Sequence, residues 1–170
     1  MKYIIYNKSV CLIKDILKNY SNNQDYYLLV PLTDNSLNIK IPTNSKLLRQ
    51  LITKEEALNL IKKIKDIPLV ENNPKNMETL YKELLSKNDH ESLIKIIKTT
   101  YLRNKERLDN KKKVTDKDTY YFNLAERYLY EELQIALNLT YEETKNFVIS
   151  TVNKLSKWPL SIINMLNSYI

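Results

Sequence analysis

Nine basic residues crowd the stretch from Lys95 to Lys117, where only Glu106, Asp109 and Asp116 oppose them, for a net charge of nine minus three, or +6. A Lys or Arg that neutralises a nucleic-acid phosphate releases a counterion, so this pattern favours binding to a phosphate backbone. A solvated helix face with ordinary ion pairs would show the same pattern, and that alternative stays open. The candidate phosphate contacts are Lys95, Lys98, Arg103, Lys105, Arg107, Lys111, Lys112 and Lys113.

Other chemistry is restricted by what the chain lacks. It has no glycine, one cysteine and one histidine. Phosphate-binding loops and dinucleotide fingerprints need glycine, so both are excluded. A single cysteine rules out an internal disulfide, and a single histidine rules out a multi-histidine zinc site. We therefore assign no catalytic residue, cofactor or metal, and we expect Cys11 in the core and His90 near a helix start.

Length and charge describe a small basic protein of 170 residues and 20.2 kDa, with a net charge of +7 and 43% apolar residues. This length suits one domain or two small ones. We find no signal peptide and no apolar run near the ~18 residues that span a bilayer, so we expect a soluble, cytoplasmic monomer that binds no membrane. In a chain without glycine, Asn should occupy left-handed turn positions.

The first 45 residues or so have the pattern of strands. Apolar and β-branched residues fill Lys2–Tyr6, Val10–Leu17 and Tyr26–Val30, and Leu37–Ile41 alternates strictly between apolar and polar. Turn-forming residues separate these segments. Four short strands with tight turns predict a small barrel or a strongly bent sheet.

From about residue 53 the apolar period becomes helical. Thr53–Glu56 and Thr140–Glu143 have the sequence of capping boxes, and Asp89 and Thr115 are candidate caps. The sequence thus predicts an α+β protein, with a β module and connecting helix in residues 1–66 and an all-helical domain in residues 67–170. The predicted helices begin near residues 53, 77, 89, 115, 140 and 160. The tyrosine pairs, including Tyr120 and Tyr121, could stack on single-stranded nucleic acid, but we assign them to packing.

Several short segments, in this order and spacing, resemble the CarD family of bacterial transcription regulators. YNKSVCLI at residues 6–13 resembles the family's Y-P-x-x-G-V-G-x-I, one residue shorter and with both glycines replaced. Further similar segments are YYLL at 26–29, LNIKIP at 37–42, LRQL at 48–51, KEEA at 54–57, YKELLSKND at 81–89, LIKIIKTTYLR at 93–103 and AERYLYEEL at 125–133. The resemblance covers roughly residues 3–155.

This resemblance implies a Tudor-like domain that binds the RNA polymerase β subunit and a helical domain that contacts promoter DNA and stabilises the open complex. Lys40 lies where the family has a basic residue, so we place Lys40 in the polymerase contact, together with Asn38 and Arg49. The protein would then be associated with the nucleoid through polymerase.

One departure from the family concerns a Trp that precedes the segment like YKELLSKND and wedges into the minor groove. Here residues 68–76 contain neither Trp nor Arg, and Leu69 or Pro74 takes the place of the Trp. Leu and Pro act as groove wedges in other proteins, so both are candidate DNA contacts. DNA contact could instead shift to the basic stretch.

The function predicted from the sequence is a non-enzymatic transcription regulator that binds polymerase and, weakly and without sequence preference, promoter DNA. The alternative is a polymerase-binding adaptor without direct DNA contact, which the missing Trp favours. A third possibility is a nucleic-acid-binding protein of unrelated ancestry, and an enzyme ranks fourth.

Overall fold

The computed structural model describes residues 2–71 and 76–156, and the chain divides into two compact units, Met1–Ile52 and Thr53–Ile170. An antiparallel sheet forms the first unit and helices form the second, so the α+β prediction is confirmed. We predicted a boundary after residue 66, which would leave the helix that follows Thr53 with the sheet. In the structure that helix belongs to the helical unit, where the apolar Ala57 and Ile61 are buried.

The sheet has five antiparallel strands, one more than predicted, in the order β4-β3-β2-β1-β5. The strands are β1 (Tyr3–Tyr6), β2 (Ser9–Ser21), β3 (Gln24–Pro31), β4 (Ile39–Pro42) and β5 (Leu48–Arg49). Within the part of the chain that the structure describes, β4 and β5 lie at opposite edges and do not pair, so the predicted barrel is not closed. Irregular register between β2 and β3 marks the sites where the long β2 strand departs from regular pairing.

One core cluster of the sheet unit lies on one face, where Ile4, Cys11, Leu29 and Ile41 are buried together. These residues come from four strands, and strict alternation along each strand places them on the same side. Cys11 is thus a small core residue, as expected.

Asparagine supplies most of the left-handed backbone in this glycine-free chain. Eight described non-glycine residues have positive φ: Asn7, Lys8, Asn19, Asn22, Asn23, Asn88, Lys111 and Asn138. Six of the eight are Asn, which confirms the expectation from the sequence. Asn88 and Asn138 each end a helix in the left-handed conformation, a position that glycine usually occupies.

The described helices are α1 (Lys54–Lys63), α2 (Met77–Lys87), α3 (His90–Asp109), α4 (Asp116–Leu137) and α5 (Tyr141–Ser156), with a short 3₁₀ turn at Ile64–Asp66. Thr53 and Glu56 form the predicted capping box, and Asp89 and Thr115 cap α3 and α4 through their side chains. The backbone N–H of Glu143 donates to the Thr140 hydroxyl in a second capping box. The helix predicted from residue 160 lies outside the described residues.

The longest helices, α3 and α4, form the centre of the helical unit, and Ile94, Ile96, Leu129 and Leu133 are fully or almost fully buried between helices. α3 extends to Asp109, and Lys105 pairs with Asp109 within its last turn. Among the described residues, no helix combines the length and the apolar character that crossing a membrane requires.

Candidate nucleic-acid interface

Lys40 lies on the edge strand β4 and is exposed, between Ile39 and Ile41, which pack on the core. Its ammonium Nζ donates to the Tyr20 hydroxyl at 2.8 Å and lies 4.7 Å from the centre of that ring. The oxygen is much the nearer group, so the contact is a hydrogen bond rather than a cation–π interaction. The Tyr20 ring in turn lies 5.3 Å from that of Tyr26. Tyr20 therefore orients Lys40, a role that the sequence did not indicate.

The other two candidate polymerase contacts are separated by the sheet. Asn38 is exposed just before β4 and donates to the Ser36 carbonyl at 3.4 Å. Arg49 lies on β5, at the opposite edge, where it is opposite Ile5 of β1. Three strands lie between β4 and β5, so Lys40 and Arg49 are on opposite edge strands of the sheet. The structure brings Lys40 and Asn38 together and leaves Arg49 apart.

In the basic stretch, Lys98 points into the helical unit. Its ammonium donates to the carbonyls of Ile64, Lys65 and Ile67, which end α1 and the 3₁₀ turn. Burial lowers the pKa of Lys98, and Asp66 opposes this effect. The three carbonyls accept all three N–H donors of the Lys98 ammonium, so none is left for a phosphate. Lys98 instead holds the end of α1 against α3.

Arg103 also belongs to an internal network. Its Nε donates to Asp118 at 3.1 Å, and the hydroxyl of the buried Tyr81 donates to the same carboxylate at 2.9 Å. Asp118 itself is only 2% exposed. The network joins α2, α3 and α4, so Arg103 stabilises the packing of these helices. Burial is the main cause that raises the pKa of Tyr81, which keeps its hydroxyl protonated as a donor.

Three further basic candidates have partners along the same helix or loop. Lys95 pairs with Glu91 at 2.8 Å, and Lys105 pairs with Asp109 at 3.0 Å, both four residues apart. Arg107 Nε donates to the carbonyl of Lys113 at 2.7 Å, which closes the loop after α3. Here the structure shows the ordinary helix ion pairs that we had kept as the alternative explanation.

Lys111, Lys112 and Lys113 differ from the rest of the stretch. All three are exposed in the loop between α3 and α4, and none takes part in an ion pair with another described residue. The backbone of Lys111 is left-handed, with φ of 55°, and its N–H donates to the Leu108 carbonyl at 2.8 Å. This loop, which we call the tri-lysine loop, presents three unpaired positive charges to solvent.

The two candidate wedges have different outcomes. Leu69 is 47% exposed, and the next backbone N–H, of Val70, donates to the Thr99 hydroxyl of α3 at 2.9 Å. The segment is therefore anchored on α3 with the Leu69 side chain in solvent. Pro74 lies outside the described residues.

A polar cavity of about 410 Å³ lies between α2 and α4 and was not predicted from the sequence. Glu78, Lys82, Arg103 and Lys117 are among its lining residues. Glu78 accepts hydrogen bonds from Lys117 at 2.6 Å and from Lys82 at 2.9 Å, and these lower the pKa of Glu78 to about 2. The Glu78–Lys82 ion pair could have been predicted from the spacing of four residues on one helix. The Glu78–Lys117 pair could not, because Lys117 lies on α4, far from Glu78 in sequence.

Two neighbouring tyrosines of α4, which we assigned to packing, differ in exposure. Tyr121 is buried and packs on Tyr81, with ring centres 5.1 Å apart, as expected for a core residue. Tyr120 packs edge-on against Tyr121 but is 60% exposed, so its own ring faces solvent. Tyr120 and Tyr121 are adjacent residues of the same type, so the sequence alone does not tell which of the two is buried. Only the direction in which each side chain leaves the helix distinguishes them.

Buried carboxylates also occur on α4, away from the cavity. The His90 ring Nε2 is hydrogen-bonded to the Glu132 carboxylate at 2.8 Å, so His90, which lies at a helix start as expected, is also a half-buried partner of α4. Burial raises the pKa of Glu126 and of Glu131, and Lys145 and Arg127 respectively oppose the rise. In the described ranges, no group of three or more His, Cys, Asp or Glu side chains is arranged to hold a metal ion.

Comparison with known proteins identifies no relative: no protein-family model matches the chain, and no curated protein matches it significantly.

Proposed function

We propose that the protein is a transcription regulator that binds the RNA polymerase β subunit through its sheet unit and duplex DNA through the tri-lysine loop of its helical unit. The observation that carries the DNA contact is the separation of charge within the basic stretch. Lys98 and Arg103 are used inside the fold and Lys95 and Lys105 are paired along α3, whereas the tri-lysine loop keeps its charges free. Free lysines in one exposed loop suit a phosphate backbone, which is read without regard to sequence.

The backbone of the tri-lysine loop adds support. Left-handed backbone costs a Lys about 1 kcal/mol, and elsewhere this chain uses Asn at most such positions. At Lys111 the chain accepts this cost and retains a positive charge. Strained residues concentrate at functional sites, so a role for the Lys111 side chain in binding explains why a less suitable residue occupies the position.

A salt series with duplex DNA tests the DNA contact. Replacing Lys111, Lys112 and Lys113 by Gln removes up to three phosphate contacts, so the slope of log affinity against log salt should fall by up to about three units. The matched control replaces three exposed lysines elsewhere, Lys62, Lys63 and Lys65, by Gln. This triple substitution lowers the net charge by the same amount. An equal change of slope in both variants would mean that net charge, not this loop, drives binding.

The polymerase contact rests on Lys40, which the structure exposes beside Tyr20. Lys40→Glu reverses a surface charge and should weaken retention of polymerase by the tagged full-length protein while leaving its circular dichroism unchanged. Lys46→Glu, at another exposed position of the sheet unit, is the control. If both variants retain polymerase as well as the wild type does, Lys40 is not in the contact.

The second candidate function is an adaptor that binds polymerase without touching DNA. It is favoured by the internal use of Lys98 and Arg103, which removes two cations from the surface. An adaptor would show the Lys40 effect but no change of salt slope in the tri-lysine variant.

A further inference from the structure

Three tyrosine rings lead from the core of the helical unit to its surface. Tyr81 is fully buried, its ring centre lies 5.1 Å from that of Tyr121, and Tyr121 lies 5.1 Å from Tyr120. The last contact is edge-to-face, at 84°, which fixes the orientation of the outer ring. Among the described large apolar side chains, Tyr120 is the most exposed. The fold thus holds a rigid aromatic ring in solvent.

Two lysines with free donors lie next to this ring cluster in the fold. Lys82 follows Tyr81 on α2, and the Tyr81 ring packs on Tyr121, while Lys117 lies one turn before Tyr121 on α4 and three positions before Tyr120. The side chains of Lys82 and Lys117 are 65% and 72% exposed. Each ammonium gives one hydrogen bond to the same carboxylate, of Glu78, so two positive charges share one negative charge.

The cavity between α2 and α4 connects these groups with the tri-lysine loop. Thr115 lines the cavity and follows the loop by two residues, and Lys82 and Lys117 line the same cavity. Its volume falls within the range of known ligand sites, and its lining is largely polar. Lys82, Arg103 and Lys117 outnumber Glu78 and Asp118, and the adjacent loop adds three more positive charges. Charge complementarity therefore selects an anionic partner.

We propose that this surface binds single-stranded nucleic acid, with one base stacked on Tyr120 and the neighbouring phosphate held by Lys82 and Lys117. Exposed aromatic rings beside a positively charged groove are the usual means of binding single strands, because every base offers a flat face. The bases of a duplex are stacked on one another, so they cannot lie on a surface ring. The site is therefore specific for unpaired nucleotides, and phosphate displaces one Glu78 hydrogen bond from each lysine.

This site deepens the proposed function, since it rests on the helical unit binding nucleic acid. It uses different residues, however, and binds single-stranded rather than duplex nucleic acid. The tri-lysine loop would hold the backbone of a duplex, and Tyr120 would hold a base of a strand that has been opened. The two proposals can therefore be refuted independently. The tri-lysine variant tests duplex binding, and the Tyr120 variants test the binding of single strands.

The experiment measures the anisotropy of fluorescently labelled oligothymidine of about 15 nucleotides, with an abasic strand of the same length as the control for backbone binding. Tyr120→Ala should weaken oligothymidine binding about tenfold, the effect of one lost base stack, and should leave abasic binding unchanged. Tyr120→Phe keeps the ring and should bind as the wild type does. Phe147→Ala removes another exposed ring of the helical unit and serves as the matched control. Oligouridine, tested in parallel, distinguishes RNA from DNA as the source of the strand.

Glu78→Gln provides a gain of function. It removes the only negative charge that Lys82 and Lys117 share in the described structure, so it should tighten both oligothymidine and abasic binding by about threefold to tenfold at low salt. Equal weakening of oligothymidine and abasic strands by Tyr120→Ala, or no weakening of either, would overturn the stacking site. Wild-type circular dichroism of the Tyr120 variants, whose substitution is at the surface, excludes misfolding as the cause.

Discussion

The buried hydrogen bond from Tyr81 to Asp118 is the contact whose removal gives the clearest energetic test of the helical unit. Tyr81→Phe removes one hydroxyl and almost no volume, so it creates no large cavity. The acceptor is a charged carboxylate that is 2% exposed, and hydrogen bonds to charged groups contribute about 1.5–3 kcal/mol. Asp118 keeps its ion pair with Arg103 at 3.1 Å, which limits the loss. We therefore expect Tyr81→Phe to lower the free energy of unfolding by about 2 kcal/mol.

Urea unfolding followed by circular dichroism at the helix band measures this loss. With a urea dependence of about 2 kcal/mol per molar, the midpoint of the helical transition should fall by roughly 1 M. Tyr121→Phe is the matched control, because Tyr121 is buried on the same ring cluster but its hydroxyl makes no hydrogen bond with any described residue. A midpoint shift for Tyr81→Phe no larger than that of Tyr121→Phe would refute the assignment of the Asp118 network as a support for α2, α3 and α4.

Three further predictions concern other buried or strained groups. Lys98→Met should lower the free energy of unfolding by about 2 kcal/mol, since three carbonyls lose a charged donor, whereas Lys95→Met should cost about 0.5 kcal/mol; equal losses in urea unfolding would contradict this. Burial raises the pKa of Glu131, so the contribution of Glu131 to stability should fall as pH rises from the ordinary value of 4.5 through the raised pKa and then level off. Glu131→Gln should lose this contribution, so the variant should gain melting temperature relative to the wild type as pH rises to 7, and parallel curves of melting temperature against pH would disprove it. Lys111→Asn should gain about 0.5–1 kcal/mol of stability and lose about one unit of salt slope on duplex DNA; a gain in stability without the change in slope would separate Lys111 from binding.

The helical caps were predictable from the sequence because they depend on neighbouring residues. Thr53 and Glu56, or Asp89 and the N–H of Ser92, are three residues apart, and their hydrogen bonds form within one turn. Asn at left-handed positions was predictable for the same reason. The boundary between the units was harder to place, because it depends on where the apolar face of α1 is buried.

The roles of the basic residues were not predictable in the same way. Lys98 and Lys111 have the same side chain, yet the Lys98 ammonium bonds to carbonyls more than 30 positions earlier in the chain and the Lys111 ammonium bonds to no described group. Charge counts treat the two residues alike, and only the packing of α3 distinguishes them. Tyr81 and Asp118 likewise meet across 37 positions, which local patterns do not report.

The order of the strands also determines which part of the sheet opens first. Four of the five strands pair with their neighbours in the chain, and only β5 pairs with a strand far from it in sequence, β1, where Arg49 is opposite Ile5. Closing a longer loop costs more chain entropy, and β5 has only two residues to offset that cost. We therefore expect β5 to dock last during folding and to detach by itself in the native state, so that amide hydrogens on this side exchange faster than those of β2 and β3. Each such opening would uncover the β1 backbone that pairs with Arg49, so this edge of the sheet depends on an opening, whereas the β4 edge with Lys40 does not.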